Sequence, residues 1–391
     1  MSSPTAAEEA EPDLFTRDFA LILLTQLAFG FAFSSFFLLP KFVVTALAGS
    51  PREVGFVGAT SVVAAVLVSP LCGKRLDQGR RAPLMAWGCL LSGWAAFGFV
   101  HVSHVGAYLF ALRALQGVGY TLYFVAAATL VSDLCPPARL GQALGWFGSA
   151  GLLMNAIATL LAERIADSYG WHAVFRAAAL SGLLGALLSL ALREPKHRLA
   201  HSEDRPLTPP PHQPRVLWAA AAGGAAFGAM FTFTQPLALS LGETNISPLF
   251  AGYTAAALFV RLFFGNAADR FGRARVGSAA LAVYSLVVLA TAGLARGWLV
   301  VVGLGFGLAH GAFYPSLNAL ALQGVARSQR GSVGAYFNAA FNAGTFVVTF
   351  CFGQVAQLYG YRPVFLLVAC LSASGAFALL SRGHRPGFAR S

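Results

Sequence analysis

Arg113 and His310 stand out because they are ionisable and lie inside long apolar runs. A guanidinium at that depth is costly and by default functional, and an imidazole changes charge near physiological pH. Gln116 follows Arg113 by three residues, on one helical face, and with His310 this set could balance the charge of a proton or a substrate. Asp18, which opens the first apolar run, is the other candidate proton carrier. Each also has a packing alternative: Arg113 as a fixed partner for carbonyls of a neighbouring helix, His310 as a helix-to-helix hydrogen-bonding group. Arg261 and Arg176 lie closer to run ends, where a long side chain can snorkel to the surface. All 15 acids fall in tails, loops or run ends, Asp133, Glu163 and Asp167 among them. The sequence offers no nucleophile–base–acid set, phosphate loop or metal-ligand spacing. Gly303, Gly305, Gly307 and Gly311 sit within an apolar run with no preceding strand, so they read as helix-packing glycines. The five cysteines have no paired spacing and read as small packed hydrophobes. No cofactor, no metal and no enzymatic activity is therefore expected.

The elements that must position these groups follow from composition. Of the 391 residues 57% are hydrophobic and only 11% charged, against about 25% charged in soluble domains. A soluble fold is excluded, and so is a barrel, whose strands would alternate apolar and polar residues. With about 20 apolar residues needed per span, the runs 19–39, 54–72, 82–100, 105–131, 140–162 and 171–192 give six helices. The runs 216–242, 246–268, 276–295, 298–326, 332–358 and 363–380 give six more. The fold class is thus all-α integral membrane with twelve transmembrane helices. Most of the 27 Lys and Arg fall on the side that carries both termini, which places the termini in the cytoplasm and the protein, multi-pass, in the inner membrane. Topology accounts for the net charge of +12, and no nucleic-acid partner is needed. Residues 1–18 form an acidic cytoplasmic tail, 193–215 a Pro-rich cytoplasmic linker and 381–391 a second tail.

The chain repeats itself. Gly73-x-x-x-Asp77 recurs as Gly265-x-x-x-Asp269, and Tyr169-Gly-Trp recurs as Tyr359-Gly-Tyr, at offsets near 190. Phe29, Phe33 and Ser34 return as Phe227, Phe231 and Thr232. Two pseudo-symmetric six-helix halves result, 19–192 and 216–380, an organisation used by secondary transporters with a site near the midplane.

These motifs resemble the major facilitator superfamily over nearly the whole length. The resemblance is carried by the loop Gly73, Asp77, Gly79, Arg80, Arg81, by its echo Gly265, Asp269, Arg270, Gly272, Arg273, and by Arg113-x-x-Gln116-Gly117 in the fourth run. It implies two loops that latch the halves at the cytoplasmic side in the outward-facing state. It also implies a cavity lined by helices 1, 4, 7 and 10, here with Gln26, Phe33, Ser34, Tyr120, Tyr123, Phe227, Phe231, Thr234, Gln235, Tyr314 and Asn318. Helices 5 and 11 add Asn155, Asn338 and Asn342. An aromatic lining with scattered amides suits an amphipathic organic substrate, and Arg113 and His310 without a central acid favour an anionic or neutral one. The expected function is secondary transport by alternating access, proton-coupled, with export favoured and the protein a monomer. The fifth run lacks the Gly-Pro pair of many drug/proton antiporters, which keeps open a proton symporter importing a sugar, peptide or organic acid. A non-transporting receptor on the same scaffold is the alternative from another class.

Overall fold

The computed structural model describes residues 14–76, 81–136, 139–194, 214–265, 267–325 and 329–380, with backbone only at 70–76 and 331. Of the helices in it, twelve are long and apolar enough to cross a membrane. They are α1 (Arg17–Thr45), α2 (Pro51–Leu76), α3 (Arg81–Gly98), α4 (Ala107–Leu134), α5 (Leu140–Tyr169) and α6 (Trp171–Leu190). The second set is α7 (Pro214–Ser240), α8 (Ser247–Phe264), α9 (Arg273–Ala292), α10 (Leu299–Ala321), α11 (Arg330–Tyr359) and α12 (Tyr361–Leu380). Helix is the form that satisfies every backbone group internally in lipid.

The repeat is visible in the irregularities. Helix α1 passes through a 3-10 turn, Ser35–Leu38, and α7 breaks at Phe233. Pro40 and Pro236 follow these breaks at equivalent places, and a proline removes the N–H that would continue the helical ladder. Helices α5 and α6 are joined by one residue, Gly170 (φ 79°, ψ 167°), and α11 and α12 by Gly360 (φ 80°, ψ 177°). This backbone region is essentially open to glycine alone, which is why Tyr-Gly-aromatic recurs there.

Two ends of the bundle can be told apart by their contacts. At one end the Ala82 N–H donates to Glu194 Oε1 (2.6 Å), the Arg193 N–H to Asp18 Oδ1 (3.3 Å), and Arg81 pairs with Asp133 (2.7 Å). This is the terminal end, where the described chain starts and stops. The other, distal end gathers Lys41, Glu163 and the α7–α8 turn.

Within the first half α4 packs on α2 and α3, and α1 on α5 and α6. In the second half α8 packs on α10, α7 on α11 and α9 on α12. The halves meet along α2–α11 and α5–α8. The glycine run of α10 sits in a helix contact: side chains at 303 and 307 would meet the carbonyls of Leu249 and Tyr253, and one at 311 would touch Ala257.

Some expectations shift. The first span runs on to Thr45, so Lys41 lies inside a helix and not in a loop. The tenth stops at Ala321, five residues before the apolar run ends, at a turn containing Gly324 (φ 74°). Cys89 and Cys135 are packed, Cys351 and Cys370 are exposed on α11 and α12, and the side chain of Cys72 lies outside what is described. Most of the 193–215 linker lies outside the described residues.

Candidate functional site

Aromatic rings at helical spacing build the seam between the halves. On α1, Phe29, Phe33 and Phe37 recur every four residues, with ring centroids 5.9 and 5.5 Å apart. Phe37 meets Phe231 of α7 at 4.9 Å, Phe231 stacks on Phe227 at 4.4 Å, and Phe227 lies 5.1 Å from the His310 ring. The ladder therefore crosses from one half to the other at Phe37. Tyr120 stacks on Phe33 at 4.7 Å from the first half, and Tyr314 continues from His310 in the second. Polar groups are fixed on this frame: Ser34 Oγ donates to Asn155 Oδ1 (2.9 Å) and the Tyr314 hydroxyl to Asn338 Oδ1 (2.6 Å). Asn338 is exposed, with its Nδ2 on the Gly334 carbonyl (3.0 Å), so this satisfied pair borders a cleft at the seam. Asn318 and Asn342 stand one turn from Tyr314 and Asn338, half-buried on the same faces.

Other members of the expected lining are placed elsewhere. Tyr123 is fully buried in the first half, stacked on Phe29 at 3.8 Å and donating to Gln26 Oε1 at 2.9 Å. Thr234 is equally buried, with its hydroxyl on Met230 Sδ. Gln235 donates to the Phe37 carbonyl (2.6 Å) and clips α7 to α1; its Oε1 is buried without a hydrogen-bond partner. These side chains hold the frame and do not face the cleft.

Arg113 turns away from the seam. Its Nε donates to the Val57 carbonyl (3.3 Å), Nη2 to Ser61 Oγ (2.8 Å) and Nη1 to Gln116 Oε1 (2.6 Å). The planar fork thus ties α4 to α2, with Gln116 buried as its own-helix acceptor. Asp18 sits at the terminal end on the Arg193 N–H, far from the cleft. His310 is buried and faces the Tyr284 hydroxyl at 3.4 Å.

The charge in the cleft is Arg261, for which snorkelling was expected. Helical side chains tilt towards the helix N-terminus, and the N-terminus of α8 is distal, so the guanidinium points back towards mid-depth. It lies within electrostatic range of Tyr253, Tyr314 and His310, and Tyr314 is within range of Tyr120 across the seam. A Cβ at Gly148 of α5 would stand 3.2 Å from its Nη1, so the cation reaches the other half. Its Nε is buried without a hydrogen-bond partner. The chain direction of α8, legible from topology, is the signal that would have found it.

Also missed was the distal junction. Lys41 Nζ lies 2.6 Å from Glu163 Oε1, both side chains buried, and also donates to the Thr244 carbonyl at 2.6 Å. Glu163 accepts in turn from the N–H groups of Ile246 (2.7 Å) and Ser247 (2.8 Å). Of the latch residues, Asp77 and Arg80 lie outside the described residues, and Gly73 is described by its backbone alone, within α2. Arg81 is buried against Asp133. In the echo, Gly265 caps α8, and Gly272 (φ 93°) turns the chain so that Arg273 meets Asp269 (2.9 Å) and the Ala319 carbonyl (3.2 Å). Arg270 lies over Phe271 at 5.4 Å.

Comparison with known proteins places this architecture. The family model of the Major Facilitator Superfamily matches residues 21–244 and 222–389. Multidrug resistance protein 3 of Bacillus subtilis is 31% identical over 160 residues, 40% of this chain and 30% of that protein. An uncharacterised transporter of Pseudomonas aeruginosa is 26% identical over 98% of both chains. The multidrug efflux pump PmrA of Streptococcus pneumoniae is 24% identical over 88% of this chain and 90% of its own. Among solved structures, the nucleoside transporter NupG superposes with TM-score 0.74 at 16% identity, covering 94% of this chain and 99% of that one. The human organic anion transporter MFSD10 gives 0.69 at 15%, over 94% and 100%. With twelve spans in two related halves and a family match along nearly its entire length, the chain belongs to the Major Facilitator Superfamily and is a membrane transporter.

Proposed function

We propose that this transporter exports an amphipathic organic anion from the cytoplasm in exchange for protons, working as a monomer in the inner membrane with both termini cytoplasmic. The observation that carries the substrate class is Arg261: a cation in an aromatic cleft, with a buried Nε lacking a partner and reaching from α8 to Gly148 of the other half. The described carboxylates stand at the two ends of the bundle, so a cationic substrate would find no counter-ion at mid-depth. An anion on Arg261 would touch both halves, and the stacked rings around it would take the apolar body. Tyr314, Asn338 and Tyr120 would orient the molecule. Efflux names among the relatives and the positive-inside charge pattern support export from a cytoplasmic opening. In this reading the distal end is the outside, closed here by the Lys41–Glu163 junction. The loops with Asp77 and Asp269 would latch the terminal end when the molecule rocks.

The test is made on the purified full chain in liposomes with an acid-inside gradient, offered a fluorescent aryl carboxylate, its neutral amide and an aryl ammonium compound. The carboxylate should dissipate the gradient. Arg261→Ala should weaken the response about tenfold to a hundredfold, the worth of a charge-assisted hydrogen bond, and Arg261→Lys should restore part of it. A response to the ammonium compound alone, or an Arg261→Ala protein equal to wild type, overturns the assignment.

A further inference from the structure

The α2–α11 seam carries a groove whose chemistry differs from that of the cleft. It is walled by Phe56, Val63 and Leu67 of α2, Phe110 of α4, and Phe346 and Phe350 of α11, around a cavity of about 440 Å³. Three of the rings form one surface: Phe56 stacks on Phe350 at 4.8 Å, and Phe350 on Phe346 at 5.3 Å. Among the described lining residues Thr60 is the polar one, and its hydroxyl is spent on the Phe56 carbonyl (2.8 Å). The walls therefore offer no hydrogen bond to a polar ligand, which would be desolvated there at a cost.

Helical spacing sets Phe56, Val63 and Leu67 on one face of α2. Gly55 and Gly58, which meet Thr349 and Thr232 of the second half, are on another. The groove thus opens away from the cleft, and Leu67 at its lower end, 69% exposed, is turned to the bilayer. From Phe56 to Leu67 the rise is about 17 Å, close to half of a hydrocarbon core about 30 Å thick. Because α2 begins at the distal end, this is the depth of the distal leaflet. Arg52 stands one helical turn above Phe56, exposed, with its Cζ 5.1 Å from the centre of that ring. The ring holds the cation at the mouth of the groove, and among the described residues the guanidinium has no hydrogen bond or ion pair. The described distal acids are engaged elsewhere: Glu53 accepts from the N–H and hydroxyl of Ser50 (2.7 and 2.8 Å), Glu163 is on Lys41, and Glu243 is on the Gly297 N–H. Asp167 is exposed on α5, the helix of the other seam.

We propose that this groove binds an anionic phospholipid of the distal leaflet, with one acyl chain against Phe56, Phe346 and Phe350 and the phosphate on Arg52. The chain matches walls that are apolar over one leaflet. The guanidinium fork matches a phosphate, which it takes through two parallel N–H bonds. The headgroup is anionic because a zwitterionic one would set its ammonium beside Arg52 with no free carboxylate to receive it. The bound chain touches both halves, α2 and α4 on one side and α11 on the other. The assignment rests on the depth of the groove and the position of Arg52, and is independent of the substrate and of the direction of transport.

The test uses the full chain in phosphatidylcholine liposomes with a small fraction of phosphatidylglycerol that carries a photoreactive diazirine in its acyl chain, the labelled residues being mapped by peptide mass spectrometry. Labelling should concentrate on Val63, Leu67 and Phe346 and should fall when unlabelled phosphatidylglycerol is added. A phosphatidylcholine with the same diazirine should label these residues no more than the rest of the surface. Arg52→Ala should lower labelling of the groove about tenfold, the worth of a charge-assisted hydrogen bond, and Arg52→Lys should recover part of it. Val63→Trp, which fills the groove and leaves Arg52 in place, should abolish labelling at Phe346, with the unfolding midpoint reporting that the variant folds. Labelling spread evenly over the exposed faces of α3, α6, α9 and α12 would report the lipid shell alone and overturn the site. Equal labelling by the two probes, or by wild type and Arg52→Ala, overturns the headgroup contact and the proposal with it. Suppression by the aryl carboxylate and not by phosphatidylglycerol also overturns it and makes the groove a substrate portal.

Discussion

At the scale of single residues, two arginines in transmembrane helices have opposite fates, and hydrogen-bond accounting separates them. Arg113 fills its donors on Val57, Ser61 and Gln116; Arg261 has a buried donor with none. Replacing Arg113 by alanine would strand Ser61 and Gln116 inside the bundle and open the α2–α4 contact. The expected cost is about 3 to 5 kcal/mol of stability, as for removing one partner of a buried charged group, with little change in the affinity of the anionic probe. Arg113→Lys should recover only a fraction, because a lysine cannot reproduce the planar fork. Thermal unfolding of the detergent-solubilised protein beside probe titration checks both halves of this expectation. A stable Arg113→Ala protein with lost affinity would return Arg113 to the binding site. From sequence the two residues looked ranked the other way, since depth along a run was the available guide and the direction of the side chain was not.

At the scale of helices, the sequence carried most of the architecture and little of the assignment of faces. Twelve spans were legible because each must be apolar over a fixed length, and the repeat was legible because Gly-x-x-x-Asp loops and Tyr-Gly-aromatic turns recur at offsets near 190. The glycine run of α10 was read correctly as packing, and the structure names its partners on α8. Gly307→Ala would push a methyl into the Tyr253 carbonyl, and over-packing at such a contact costs about 1 to 3 kcal/mol. The unfolding midpoint should fall, and because the buried Tyr253 lies within electrostatic range of Arg261 the anion affinity should fall with it. The neighbouring Gly305→Ala, which meets only the Val287 side chain of α9 and no backbone, should lower stability less and leave affinity intact. What the sequence left open was which side of each amphipathic span meets the seam. Hydrophobic side chains cover both lipid-facing and core-facing surfaces in a membrane protein, so polarity does not mark the interior as it does in water. Tyr123 and Thr234 were assigned to the cleft for that reason and lie in the packed interior.

At the scale of the molecule, the described contacts fasten the halves at the distal end. The distal contact is extensive on the α2–α11 side as well as at Glu163: Gly55 abuts the Thr349 carbonyl, Phe56 stacks on Phe350 at 4.8 Å, and a Cβ at 353 would lie 3.3 Å from the Arg52 Cα. That approach is within the reach of a disulfide. In a background lacking the native cysteines, Arg52→Cys with Gly353→Cys should cross-link under mild oxidation. The bond would hold the distal end shut, so transport of the anionic probe should stop, whereas binding from the terminal side should persist with Kd changed by less than about threefold, within the scatter of an independent site. Reduction should restore transport in full. The two readouts divide the possibilities: a cross-linked protein that still transports would mean that the α2–α11 contact does not open in the cycle. One that loses binding as well would mean that the cleft is reached from the distal side, and the direction of access argued from Arg261 and the Lys41–Glu163 junction would be reversed.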